Sequence, residues 1–123
     1  MSVELPLPKA SPRDFAAWLV GRRMRTIVIN SSMEPTLQPG DHCFVKPYLG
    51  LAEPEPGHVV MVEHPEYGNI VKRIHHIEAD GSLWLIGDNA HAENAKDSRH
   101  SGAVKRTHLR GRVVSVTRAG QNR

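Results

Sequence analysis

From Thr26 onward the chain breaks into short runs rich in branched residues, each ended by Gly, Pro, Asn or Asp. The runs are Thr26–Asn30, His42–Lys46, His58–Glu63, Ile70–Ile77, Leu83–Ile86 and Arg112–Thr117. Runs of this length and composition are strand signals. Pro39-Gly40-Asp41, Pro56-Gly57 and Asp80-Gly81 mark turns between them, because Pro fixes φ and Gly permits positive φ. Closely spaced strands without intervening helices argue for a mainly β domain and against βαβ units.

Ahead of the strands, Ser11 offers an N-cap, Pro12 suits the first helical position and Asp14 falls in the first turn. Phe15, Trp18 and Leu19 follow at helical spacing, and Gly21 can close the element. The pattern predicts a short amphipathic helix of roughly 9 residues, about 13 Å long, packed on the domain. Residues 1–10 read as a loose tail. The expected organisation is residues 1–25 as tail and helix, 26–117 as the β domain, and 118–123 as a C-terminal tail. Asn89 to Ala103 has the least pattern and reads as a loop long enough to be functional.

With 123 residues, one domain with an adequate core is expected. Only two Phe, two Tyr and two Trp are present, so Val, Ile and Leu must fill that core. The single cysteine, Cys43, rules out an internal disulfide and alternates like a buried strand residue; this fits a reducing compartment. The net charge of +3 comes from basic clusters at Arg22-Arg23-Met24-Arg25 and from Lys105 to Arg123. No aromatic residues interleave with them for base stacking, so nucleic acid is not the expected partner. The apolar stretch Phe15–Val20 is far shorter than the roughly 20 residues a spanning helix needs. No basic segment followed by an apolar one opens the chain as a signal peptide would. A cytoplasmic location is expected, or a membrane-associated one if the chain is a piece of a larger protein or is recruited by a partner.

Two segments could carry chemistry. In Ser31-Ser32-Met33-Glu34-Pro35-Thr36-Leu37 the serine hydroxyls are poor nucleophiles without a nearby base, and such a segment alone also suits a turn. In Asn69-Ile70-Val71-Lys72-Arg73-Ile74 the two-residue period puts Lys72 between Ile70 and Ile74 on one strand face. A lysine so placed either snorkels to water or is a desolvated amine. The distinction matters, because a lysine at its reference pKa is only about 0.04% neutral at pH 7. Lowering it to about 7 costs roughly 4–5 kcal/mol. A third segment, Gly87-Asp88-Asn89 followed by Asp97-Ser98-Arg99, offers carboxylates and a guanidinium to clamp a loop, or an exposed turn with solvated charges.

Taken in order, these segments resemble signal peptidase I. Ser32-Met33-Glu34-Pro35-Thr36-Leu37 is similar to the nucleophile box and Pro39-Gly40-Asp41 to the box after it. Pro56-Gly57-His58-Val59-Val60 resembles the next strand, with His58 where that family usually has Asp. Ile70-Val71-Lys72-Arg73-Ile74 is similar to the box of the general-base lysine. Gly87-Asp88-Asn89, Asp97-Ser98-Arg99, Gly102 and Leu109-Arg110-Gly111-Arg112-Val113 resemble the closing boxes.

The resemblance implies a signal peptidase/LexA-like fold of short coiled antiparallel strands and a serine–lysine dyad. Ser32 would be the nucleophile and Lys72 its base. The Ser32 N–H and the Asn30 side chain, standing where the family has a serine, would form the oxyanion hole. Gly87, Asp88, Asn89, Asp97 and Arg99 would organise the site. A serine often found two residues before that Asp is Ala95 here, in a loop about two residues longer than usual. The implied substrate is a precursor protein losing an N-terminal leader, with no cofactor and no metal; the oligomeric state is left open. Length, the Gly-Asp-Asn loop and a plain N-terminus make the chain similar to the short anchorless peptidases that mature nickel-type superoxide dismutase.

Two other classes compete. Self-cleaving LexA-like repressors share the fold and dyad, but the roughly 25 residues before the first strand are expected to be too few for their DNA-binding module. Their cleavage site, often Ala-Gly, precedes the nucleophile, whereas Ala119-Gly120 follows it here. A catalytically silent binding module is the third reading. Among the eight histidines, His75 and His76 are expected on opposite faces of a strand, poorly placed for a shared metal. His91, Glu93 and His100 lack tight ligand spacing.

Overall fold

The computed structural model describes residues 7–91 and 96–120. Its elements are α1 (Pro12–Leu19), β1 (Met24–Ile27), β2 (His42–Lys46), β3 (Val59–His64), β4 (Gly68–Ile77), β5 (Leu83–Ile86), α2 (Ser98–Ser101) and β6 (Leu109–Thr117), with a 3-10 turn at Arg106–His108. The six strands form one sheet in the order β1-β2-β6-β3-β4-β5, every neighbouring pair antiparallel. The domain is thus mainly β with a short N-terminal helix, as the punctuation of the sequence implies. No helix among the described residues is long and apolar enough to cross a membrane.

Strand β3 explains where the core sits. Val59, Val60, Met61 and Val62 are all buried, so this strand is covered on both faces. Val59 and Met61 join Val28, Met33, Leu37, Cys43, Val45, Val113 and Val116 on one side. Val60 and Val62 join Ile74, Leu83, Leu85 and Val104 on the other. Cys43 is fully buried, as its place in an alternating strand suggests.

Helix α1 ends as its sequence predicts. Gly21 takes φ +79°, its N–H donates to the Trp18 carbonyl at 3.0 Å, and the Arg22 N–H reaches the Ala17 carbonyl at 2.7 Å. This is the Schellman arrangement, and the left-handed residue it needs is the glycine. At the other end the Asp14 carboxylate accepts the Ser11 N–H at 3.0 Å and the Ser115 hydroxyl at 2.9 Å, tying helix to β6. No α1 residue is fully buried; the helix meets the sheet through Phe15, whose ring lies edge-on to Phe44 at 4.8 Å.

Several boundaries differ from expectation. β1 starts at Met24, inside the basic cluster, and stops at Ile27, ahead of the Ser32 segment. β6 starts three positions early at Leu109, because Leu109 and Gly111 pair with β3. The long loop contains the one-turn helix α2, capped by Asp97, whose side chain accepts the Arg99 N–H. His75 and His76 do not point apart. A bulge opposes Ile74 to Leu85 and His76 to Trp84, leaving His75 as the extra residue, and the two Nδ1 atoms come within 2.7 Å.

Phe44 is fully buried and is the sheet's contact to α1. Phe44→Ala is expected to lower unfolding stability by about 3–5 kcal/mol, read from urea denaturation.

Candidate active site

Three backbone segments converge beside β4: the Asn30–Leu37 turn, the Gly87-Asp88-Asn89 stretch after β5, and the Asp97 cap of α2. Alternation along β4 puts Lys72 on the face of Ile74, opposite Val60 on β3. Its side chain is 2% exposed, so it is buried and does not snorkel. The amine needs a polar partner there, and it finds the Ser32 hydroxyl, with Nζ 2.7 Å from Oγ. Ser32 is itself 7% exposed.

Burial is the main reason that the Lys72 amine titrates below an ordinary lysine. The Asp97 carboxylate works against that shift and the Arg99 guanidinium adds to it. Asp97 does not act as a full counter-charge because it is already committed. Arg99 Nη2 lies 2.7 Å from Oδ2, and the Gly87 and Arg99 N–H groups donate at 3.2 and 3.1 Å. Burial alone would raise the Asp97 carboxyl; these donors more than offset it and hold it below the usual carboxylate range. A neutral amine at 2.7 Å from a hydroxyl can accept its proton, which is the chemistry of an activated serine.

The turn that carries Ser32 is held from outside. Asn89 donates from its N–H to the Ser32 carbonyl at 2.9 Å and from Nδ2 to the Ser31 carbonyl at 3.0 Å. Gly87 passes so close that an added Cβ would lie 2.5 Å from the Ser32 carbonyl oxygen, so only glycine fits. Asp88 is a hub: Arg73 binds both its oxygens, at 2.9 and 2.8 Å, and the Thr36 hydroxyl donates to Oδ2 at 2.5 Å. Arg73 also donates to the Gly57 carbonyl at 2.6 Å, so the residue after Lys72 ties β4 to the turn before β3 and, through Asp88 and Thr36, to the Asn30–Leu37 turn. Asp41 fastens the other end of that turn, accepting from the Gln38 N–H and from Arg118, which also binds the Thr36 carbonyl.

All the sequence-selected site residues therefore gather here, with two qualifications. Asn30 faces the site with its oxygen: Oδ1 accepts the Ser32 N–H at 3.1 Å. Ala95 and Glu93 lie outside the described residues, while His91 and His100 are both exposed. His58 lies apart from the dyad, with its Nδ1 2.8 Å from the Tyr48 hydroxyl. Sequence reading missed the roles of Arg73, Thr36 and Ser98, the last accepting the Leu85 N–H at 2.9 Å. Each works through a partner distant in sequence, and the only signal was the adjacency of Arg73 to Lys72.

The Peptidase S24-like family model matches residues 5–114, and the chain belongs to that family. No curated protein matches the chain. The match defines a serine-peptidase family and its β fold, and leaves the substrate open.

The Lys72 shift has a consequence for stability. Between the lowered folded value and the free-lysine value of 10.5, the unfolded chain binds more protons than the folded one. Stability therefore rises with pH across that window. Urea unfolding measured over a pH series is expected to show this rise, and Lys72→Met is expected to remove it.

Proposed function

We propose that the protein is a serine endopeptidase with a Ser32–Lys72 dyad that removes an N-terminal leader from a precursor protein. The observation that carries this reading is the 2.7 Å contact between a buried lysine amine and a buried serine hydroxyl. Ser32 Oγ attacks the scissile carbonyl carbon while its proton passes to the neutral Lys72 amine. The tetrahedral intermediate collapses with that proton going to the leaving amine, giving an acyl-enzyme and a free new N-terminus. Water then attacks the ester, again losing its proton to Lys72, and restores the hydroxyl.

The developing oxyanion takes the Ser32 N–H that Asn30 Oδ1 holds at rest. Asn30 yields that donor and, turned over, offers Nδ2 as the second one. Asp97 and Arg99 set the field around the amine, and Gly87, Asp88 and Asn89 hold the turn; none of them exchanges protons with substrate. Signal-peptidase-type specificity and the nickel-type superoxide dismutase precursor follow from the motif resemblance, with the precursor met in the cytoplasm. No metal or cofactor takes part.

Ser32→Ala and Lys72→Ala are each expected to lower cleavage of a leader-bearing precursor by at least about 10⁴-fold, with the fold intact by circular dichroism. Sequencing of new N-termini reads the result, and full activity in either variant ends the dyad assignment. Asn30→Ala is expected to lower kcat by about 10²–10³-fold; an unchanged kcat removes Asn30 from the oxyanion hole.

The S24-like match favours a second reading, a LexA-like self-cleaving regulatory domain. Mass spectrometry after alkaline incubation separates the two. A precursor peptidase stays whole; a self-cleaving domain loses a piece upstream of Ser32, and Ser32→Ala prevents it.

A further inference from the structure

The bulge in β4 makes a second polar cluster, away from the dyad and independent of the function proposed above. His75 and His76 would normally project to opposite faces. Because His75 is the extra residue between the Ile74–Leu85 and His76–Trp84 pairs, both rings turn to the same side. Their Nδ1 atoms stand 2.7 Å apart.

A neighbour favours one tautomer of His76. Its Nε2 lies 3.3 Å from the Glu78 carboxylate, which favours the proton on Nε2 and a lone pair on Nδ1 toward His75. The carboxylate–imidazole contact is the usual outer partner of a metal-binding histidine. Trp84 stacks on the His76 ring, with centroids 5.5 Å apart and planes 14° from parallel, and this holds the ring in place. His75 is exposed, so its proton can move from Nδ1 to Nε2 through water at little cost.

We propose that His75 and His76 form a two-imidazole chelate for a divalent copper ion. The proton between the two Nδ1 atoms passes to His75 Nε2, and the metal is held off the line that joins them by the two Nδ1 lone pairs so exposed. Both imidazoles stay neutral, no electron is transferred, and water fills the remaining coordination positions.

The donors select the metal. With metal–nitrogen bonds of about 2.0–2.1 Å, cis ligands of a square site stand about 2.9 Å apart, and those of a tetrahedral site about 3.3 Å. The two Nδ1 atoms, at hydrogen-bond contact of 2.7 Å, need to open by only a few tenths of an ångström, and copper(II) binds such imidazole sites more tightly than the other first-row divalent ions. Among the described residues no cluster of three or more His, Cys, Asp or Glu side chains is arranged for a metal, and the proposed site rests on the two imidazoles alone. Two other histidines are already engaged. His58 Nδ1 meets the Tyr48 hydroxyl, and His64 Nδ1 accepts the Glu66 and Tyr67 N–H groups.

Trp84 supplies the readout. In a Trp18→Phe background it is the remaining indole, since the chain has two Trp. Titration with copper(II) sulfate in a non-coordinating buffer at neutral pH is expected to quench its fluorescence saturably at one equivalent. The accompanying electron paramagnetic resonance signal is expected to be that of a tetragonal copper site with nitrogen ligands.

His75→Gln and His76→Gln are each expected to weaken binding by roughly tenfold or more, because the second contact is no longer intramolecular. Glu78→Gln is expected to weaken it by about tenfold. These side chains are at least partly exposed, and far-UV circular dichroism confirms the fold of each variant. A His75→Gln titration that overlays the parent overturns the proposal, and so does zinc binding at Trp84 as tightly as copper.

Discussion

The fold buries a lysine amine and, among the described residues, brings the Ser32 hydroxyl to meet it. Everything unusual about the site follows from that constraint. A charged ammonium on the inner face of β4 would have to give up its hydration, so burial favours the neutral amine. The neutral form is also the only one that can take a proton from Ser32. The same 2.7 Å contact is thus a packing solution for a polar group and, in the proposed mechanism, the start of the reaction.

The rest of the domain keeps that contact rigid. β3 buries both faces and sets the register of β4, which aims Lys72 inward opposite Val60. The Ser32 turn has no ladder of its own beyond β1, so it is fastened mainly by side chains: Asp88 through Thr36, Asn89 through its N–H and Nδ2 to two carbonyls, and Asp41 with Arg118 at the far end. Asp97 is spent on Arg99 and on backbone donors, and this keeps it from charging the amine it faces.

Much of this was legible in the chain. Six strands could be read because branched runs ended at Gly and Pro, and the face of Lys72 followed from the two-residue period alone. Its burial could not be read, since snorkelling and desolvation share the same local pattern. What decides between them is the covering turn, contributed by residues about forty positions earlier in sequence. The Arg73–Asp88–Thr36 clamp was hidden for the same reason. Local rules failed where the strand was irregular: the bulge at His75 broke the alternation that separates His75 from His76. α2 was missed because a four-residue helix carries too little pattern, and Asp97, its cap, reads in sequence only as a loop clamp.

The most direct test of the account is a titration of the Lys72 side chain itself. Carbon-13 labelling at the lysine ε position, with Lys72→Arg to assign the resonance, follows that amine by nuclear magnetic resonance. The account predicts a midpoint clearly below the 10.5 of free lysine, and a shift of that one resonance when Ser32 is replaced by alanine. A Lys72 signal that titrates together with the surface lysines, indifferent to Ser32, would contradict it.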